Sequence, residues 1–281
     1  MHSKRNFNMR HRPDLIFIVP AMKPKMKEES MGTLILAKKA ILAGYNVKIL
    51  RYWQIGISPK ENYYAFTTKL ITLITRDNPL AVSFYCRCEE YHICIDLAQK
   101  IKKIQSDVRI VFGGPQAELV AKETIKRFKF VDYVCCSEGE HTIVPLLELL
   151  NGKRKSSEVE GLTYRDENNN VYQNHFPSFL DDNYIRGFEY YDLIPDQILR
   201  QCKSVQIDVG RGCPYCCTFC STKTFWKRKY RLRKIALNTV IELDERSCAF
   251  TGCNERIPPA HQLHGDHLDD LSSSALLLSD L

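Results

Sequence analysis

Two features of residues 14–150 predict an α/β fold built on a doubly wound parallel sheet. Short apolar runs alternate with segments of helical spacing, and each run is continuous rather than alternating. A strand whose residues are all apolar is buried on both faces, so helices must cover both sides of its sheet. Right-handed crossovers then gather the strand C-termini along one edge, where ligands of such sheets bind.

The elements follow in order. Asp14–Pro20 is a short apolar run closed by a breaker. Ser30–Ala43 carries Leu34, Ala37 and Ile41 at three- and four-residue intervals and ends at Gly44, the residue that suits a helix C-terminus. Val47–Leu50 reads as a strand, Tyr64–Thr75 as a helix, Leu80–Tyr85 as a strand and Glu90–Ile104 as a helix. Val108–Phe112 is a strand closed by Gly113-Gly114-Pro115, and Glu118–Phe128 is a helix. Tyr133–Cys136 and Ile143–Leu150 complete the fifth strand–helix unit. The polar stretch Asn151–Ser157 marks a boundary. Gly161–Arg165 and Val171–Phe176 flank the turn sequence Asp166–Asn170 and read as a hairpin. Phe179–Gln201 reads as a linker, and Ser204–Val209 as a new strand that runs into Gly210-Arg211-Gly212. Ala236–Leu243 has helical character, whereas Arg246–Leu281 has no clear period. The plan is therefore a basic tail (1–13), an α/β domain (14–150), a hairpin and linker (151–203), a segment opened by that strand (204–245) and an atypical, disordered tail (246–281).

Of the 281 residues 44% are hydrophobic, enough for a real core, and the net charge of +7 is a modest excess. Part of it lies in Lys223–Lys234, which reads first as a solvated segment; the alternatives are nucleic acid, for which there is no clear signal, a phosphorylated substrate or an acidic face of the same protein. There is no apolar stretch of the roughly 18 residues a membrane span needs. No signal-peptide core follows the basic N-terminus, so a cytoplasmic protein is expected. In a reducing compartment the 12 cysteines are core residues or metal ligands rather than a disulfide framework.

Residues 213–220 read CPYCCTFC, and Cys213, Cys217 and Cys220 have the spacing C-x3-C-x2-C. Three thiolates on one short loop can bind three irons of a 4Fe–4S cubane and leave the fourth iron open for a small-molecule ligand. The grouping Cys213-x2-Cys216 with Cys217-x2-Cys220 would suit zinc, but adjacent Cys216 and Cys217 converge poorly on one tetrahedral metal. Cys86, Cys88, Cys94, Cys135 and Cys136 read as small buried hydrophobes.

The segment VGRGCPYCCTFCSTKTFWKRKYRLR, residues 209–233, resembles the cluster loop of the radical S-adenosylmethionine superfamily. More narrowly it resembles members with an N-terminal cobalamin-binding domain. Gly113, Gly114 and Pro115, followed by Gln116, resemble that domain's "GGPH" signature. Glu138, Gly139 and Glu140 resemble its "GEGE" signature. The resemblance implies a Rossmann-like domain of cobalamin-binding type followed by the start of a radical S-adenosylmethionine partial TIM barrel. It implies that Cys213, Cys217 and Cys220 ligate the cluster and that S-adenosylmethionine chelates the open iron. Phe219 would pack near cluster and adenine, and the two glycine-bearing turns would form the cobalamin-type site. An electron donor such as flavodoxin or ferredoxin, and a small-molecule or peptide substrate, are implied as partners.

Two departures from the family pattern stand out. The loop Ala21–Met31 has no His to bind cobalt from below, and His92 reads as a helix-surface residue. From Ser204 to Leu281 there is room for two crossover units at about 30 residues each, so the barrel is expected to be truncated. Cys248, Cys253, His261, His264 and His267 do not fit common zinc-finger spacings. The expectation is a radical S-adenosylmethionine enzyme lineage that generates a 5′-deoxyadenosyl radical, with cobalamin-dependent methyl transfer as one outcome. The rivals are an inactive fragment serving as a corrinoid-binding module, and an iron–sulfur or zinc protein with a redox or regulatory role.

Overall fold

The computed structural model describes residues 12–19, 30–57, 62–180, 189–195, 210–213, 215, 217–227 and 229–232. The chain divides into two compact units, and of the second (195–209 and 234–281) only Pro195 is described. The expected strand at 204–209, the helix at 236–243 and the tail histidines and cysteines lie outside the described residues.

The first unit is built on a seven-stranded sheet of order β2-β1-β3-β4-β5-β6-β7. Its strands are β1 (Leu15–Val19), β2 (Val47–Arg51), β3 (Ala81–Tyr85), β4 (Arg109–Gly113), β5 (Tyr133–Cys135), β6 (Leu162–Arg165) and β7 (Val171–Gln173). The first five are parallel, as expected from their apolar runs, and all five residues of β1 are buried. Chain direction across the sheet reverses between β1 and β3, the switch point at which ligands bind in doubly wound sheets.

The helices are α1 (Met31–Leu42), α2 (Tyr52–Ile55), α3 (Tyr63–Asp77), α4 (Tyr91–Ile104), α5 (Pro115–Leu119), α6 (Ala121–Arg127) and α7 (Gly139–Leu150). Local signals set the ends of the first long ones. The Ser30 side chain caps α1 by accepting from Thr33 N. Asn62 caps α3 by accepting from Ala65 N, and Asn78 closes α3 in the left-handed conformation at φ 47°. Ala37 and Ala40 of α1 pack with Ile143, Leu146 and Leu147 of α7 on Leu15, Phe17, Ala81 and Val111 of the sheet. The opposite face holds Phe66, Leu70 and Ile74 of α3, Leu97 and Ile101 of α4, and Ile125 of α6 against Val82, Phe84, Ile110 and Phe112.

Three differences from the sequence reading have physical causes. The helix expected at Glu118–Phe128 begins at Pro115 and is broken at Val120, because Pro supplies a preset φ for a first helical position. The helix expected from Ile143 begins at Gly139, inside the acidic turn. The hairpin after residue 150 adds to the same sheet, β6 pairing antiparallel with β5 and β7 with β6.

That last pairing extends the core past residue 150, since Val159 and Leu162 are fully buried with α1 and α7. A fragment of residues 12–180 is expected to melt in one cooperative transition. A fragment of residues 14–150 has an unpaired β5 edge and should melt lower or self-associate. Circular dichroism melts and size-exclusion chromatography of the two fragments check this.

Candidate functional site

The carboxyl edge of the sheet is shaped by two turns. At the end of β4, Gly114 sits at φ 95°. A Cβ there would lie 3.0 Å from Cys86 O and 3.0 Å from the Tyr85 ring. Glycine is thus required by both backbone conformation and space. Cys86 N donates to Gly113 O at 2.7 Å and Gln116 N to Cys86 O at 3.2 Å, so the ends of β3 and β4 are locked together.

Alternation along the strands puts Phe17, Ser83, Val111 and Tyr133 in one row on the α1/α7 face, with Tyr85, Gly113 and Cys135 in the next row toward the carboxyl edge. Ser83 is 8% exposed and sets a hydroxyl among apolar neighbours. Gly113 leaves its position in the row without a side chain, the nearest atoms to an added Cβ being 4.0 Å away in Cys135. A hydroxyl beside a side-chain-free step suits a polar ligand group entering from the edge. The sequence reading missed Ser83; its signal was one polar residue inside a strand otherwise apolar.

The second turn follows β5. Ser137 holds φ 69°, and its N–H is accepted by the Glu118 carboxylate, which ties this turn to α5. Burial pushes the Glu118 carboxyl up, against the Ser137 N–H. Next to it the Glu138 side chain is 1% exposed. Its carboxylate accepts from Arg211 Nη1 at 2.8 Å, from Arg231 Nη2 at 2.8 Å and Nη1 at 3.1 Å, and from Leu180 N at 2.6 Å. Arg211 Nη2 also donates to Glu140 at 2.6 Å. Phe179 and Trp226 face the Arg231 guanidinium at 4.9 Å and 5.3 Å.

Those arginines belong to a two-stranded antiparallel hairpin, β8 (Gly210–Gly212) with β9 (Tyr230–Leu232), in the same compact unit as the sheet. Gly212, at φ 91°, lets the strands approach so closely that a Cβ would overlap Lys229 O. Between β8 and β9 runs the cysteine loop. Cys217 is exposed, and Cys213 and Cys220 are half-buried. Cys220 N donates to Cys217 O at 3.2 Å, and a single helical turn, Thr222–Phe225, follows. Among the described residues no three metal-ligating side chains converge, so these thiols are presented on one loop but not yet gathered. Their donor chemistry suits an iron–sulfur cluster, whose binding would close the loop. Phe219 is 90% exposed, its ring offered to solvent rather than packed.

Elsewhere Cys86, Cys94 and Cys136 are buried and Cys135 is half-buried, and burial pushes the thiols of Cys86, Cys135 and Cys136 up, leaving them protonated. Cys88 departs from the core expectation and is exposed, because it lies in the short 3₁₀ turn before α4. His92 is exposed on α4, on the helix surface as its sequence position suggested. Among the described residues no helix is long and apolar enough to cross a membrane.

Residues 19–147 match the B12 binding domain family. The chain is 27% identical over 165 residues to the uncharacterized methyltransferase PH0819 of Pyrococcus horikoshii, covering 57% of this chain and 35% of that protein. It is 26% identical to the hopanoid C-3 methylase of Methylococcus capsulatus, covering 74% of this chain and 38% of the methylase. Against the anaerobic magnesium-protoporphyrin IX monomethyl ester cyclase of Synechocystis the identity is 28%, over 42% of this chain and 24% of the cyclase. The chain thus spans well under half the length of these relatives. Its fold is that of OxsB, a cobalamin-dependent S-adenosylmethionine radical enzyme solved with aqua-cobalamin and S-adenosylmethionine (TM-score 0.63, 18% identity, 86% of this chain and 32% of OxsB). The radical S-adenosylmethionine methyltransferase TsrM of Kitasatospora setae also shares it (TM-score 0.59, 16% identity, 84% of this chain and 46% of TsrM). Residues 19–147 thus form a domain of the B12-binding type, with the fold that OxsB and TsrM share.

Gly114→Ala should lower stability by about 1–3 kcal/mol, the scale of a strained left-handed residue. At about 2–4 °C per kcal/mol for a protein of this size, a thermal melt resolves the loss.

Acid should weaken the second turn. Burial pushes the Glu138 carboxyl up, but hydrogen bonds from Arg231, Arg211 and Leu180 N outweigh it and hold the group below the ordinary value of 4.5. A carboxyl whose folded value lies below its unfolded value stabilises the fold fully above the unfolded value. That contribution is lost as pH falls through the folded one. The melting temperature should therefore drop below about pH 4.5. Glu118, shifted the other way, contributes the opposite sign. Melts of Glu138→Gln should start from a lower plateau near neutral pH and show a flatter acid limb.

Proposed function

We propose that this chain binds a corrinoid at the carboxyl edge of its sheet and a 4Fe–4S cluster on Cys213, Cys217 and Cys220, with S-adenosylmethionine, for methyl transfer or related radical chemistry. The observation that carries this reading is the attachment of the cysteine hairpin to the acidic turn of the B12-type domain through Arg211 and Arg231. When bound, the corrinoid supplies a methyl-carrying cobalt, and the cluster with S-adenosylmethionine supplies one-electron chemistry.

The chain's own residues orient and enclose. Ser83 and the step at Gly113 would receive a polar tail of the corrinoid, while Gly114 and Pro115 keep the neighbouring turn low at the edge. Phe219 presents an aromatic face on which an adenine can stack. The loop 21–31 contains no imidazole, so cobalt would receive no His from it. The electron would come from a carrier such as a flavodoxin or ferredoxin, in the cytoplasm, and the substrate would be a small molecule or peptide. A narrower reading, a corrinoid-binding module without cluster chemistry, rests on the family match, which lies within residues 19–147.

Hydroxocobalamin added to the purified chain should shift its visible bands and saturate at one corrinoid per chain. His92→Ala should leave the shift unchanged. Gly113→Val, whose Cβ has space in the fold, should weaken it at least ten-fold by filling the row beside Ser83. Anaerobic iron and sulfide should give a brown protein with a 4Fe–4S signal that Cys213→Ala, Cys217→Ala and Cys220→Ala each abolish and Cys216→Ala keeps. Corrinoid binding without any cluster selects the module reading, and neither cofactor binding overturns both.

A further inference from the structure

We infer that Glu138 is a positioning residue for the cysteine loop: its one carboxylate holds both strands that bracket the loop and so fixes where the three thiols stand relative to the sheet edge. This deepens the proposed function and rests on it only for the loop's purpose; the contacts themselves are independent of any cofactor.

The loop has two exits. On one side Arg211 precedes Cys213 by two residues in β8, and on the other Arg231 follows Cys220 in β9. Both guanidiniums end on the same Glu138 carboxylate, and Arg211 reaches Glu140 with its other nitrogen. Two charged donors converging on one buried acceptor fix orientation as well as position, because each guanidinium is planar and donates in a fixed fork. The carboxylate itself is held from beneath: Leu180 N donates to it, and Ser137, the preceding residue, is pinned by Glu118 in a conformation non-glycine residues rarely adopt. The Arg231 guanidinium lies against Phe179 and Trp226, which limits its movement toward solvent. Arg211 and Arg231 are 16% and 15% exposed, so water competes weakly for these bonds.

The hairpin alone has three residue pairs, too few to hold its geometry unaided. Its backbone order should therefore depend on the carboxylate, while the order of the sheet should not. Glu138→Gln keeps the size and one acceptor oxygen but removes the charge that two arginines share. Glu138→Asp keeps the charge at shorter reach.

Hydrogen–deuterium exchange on the cofactor-free full chain tests this, read by mass spectrometry on peptides covering 210–213 and 229–232 and, as reference, β3 and β4. Expected is a rise in hairpin exchange of at least about ten-fold in Glu138→Gln, partial recovery in Glu138→Asp, and reference peptides unchanged. Arg231→Met should reproduce the hairpin effect should the Gln variant fail to fold. After cluster reconstitution, the reduced Glu138→Gln protein should show a broadened, composite electron paramagnetic resonance signal where the parent shows one species. Hairpin exchange unchanged in both Glu138→Gln and Arg231→Met, or an equal rise across β3 and β4, overturns the inference. Because the exchange arm needs no cofactor, its outcome is separable from a failure to bind corrinoid or cluster.

Discussion

The buried carboxylate of Glu138 is the contact on which the site depends. Two guanidiniums and a backbone N–H converge on it, and through them the hairpin that carries three cysteines is joined to the last strand–helix turn of the α/β domain. Burying such a pair gains little net stability over an apolar replacement, but removing one partner costs about 3–5 kcal/mol because the other charge is stranded. The arrangement therefore acts as a specifier of geometry more than as a source of stability. Its partner Glu140 adds a second acceptor for Arg211, and the aromatic pair Phe179 and Trp226 shields the far side of Arg231.

The place of this contact follows from the sheet. Parallel strands in the order β2-β1-β3-β4-β5 send every strand–helix turn to one edge and leave the switch point between β1 and β3. Ser83, Gly113 and Gly114 cluster near that point, and the acidic turn lies two strands along the same edge. The antiparallel β6 and β7 extend the sheet on the far side and lead the chain to Leu180, whose N–H joins the carboxylate. Fold and site are thus linked by topology: the edge that gathers ligand-binding turns also receives the cysteine hairpin.

Much of this was legible in the sequence. Continuous apolar runs such as Leu15–Val19 gave parallel strands because burial on both faces leaves no room for alternation. Gly44, at φ 88°, marked the end of the first long helix because glycine takes the left-handed conformation without strain. The glycines at 113, 114 and 139 and the cysteines at 213, 217 and 220 stood out by spacing. What could not be read were pairings between distant segments. Nothing local in Arg211 or Arg231 announces Glu138, since a basic run has the composition of a solvated segment whether or not it finds an acid. The addition of β6 to β5 was hidden because a hairpin's own turn signal says nothing about which edge it joins. Cys88 was misassigned to the core because its neighbours Cys86 and Cys94 are buried, whereas a one-turn 3₁₀ segment turned it outward.

Under the proposed function one sheet edge would hold two cofactors near each other, the corrinoid over the strand ends and the cluster on the loop tethered to the acidic turn. The most direct measurement is electron paramagnetic resonance of the full chain loaded with both, with cobalt as Co(II) and the cluster reduced. The account predicts magnetic coupling: splitting or broadening of the Co(II) lines and faster relaxation that disappear when either centre is made diamagnetic. Superposed, unperturbed spectra of the two separate centres would contradict it.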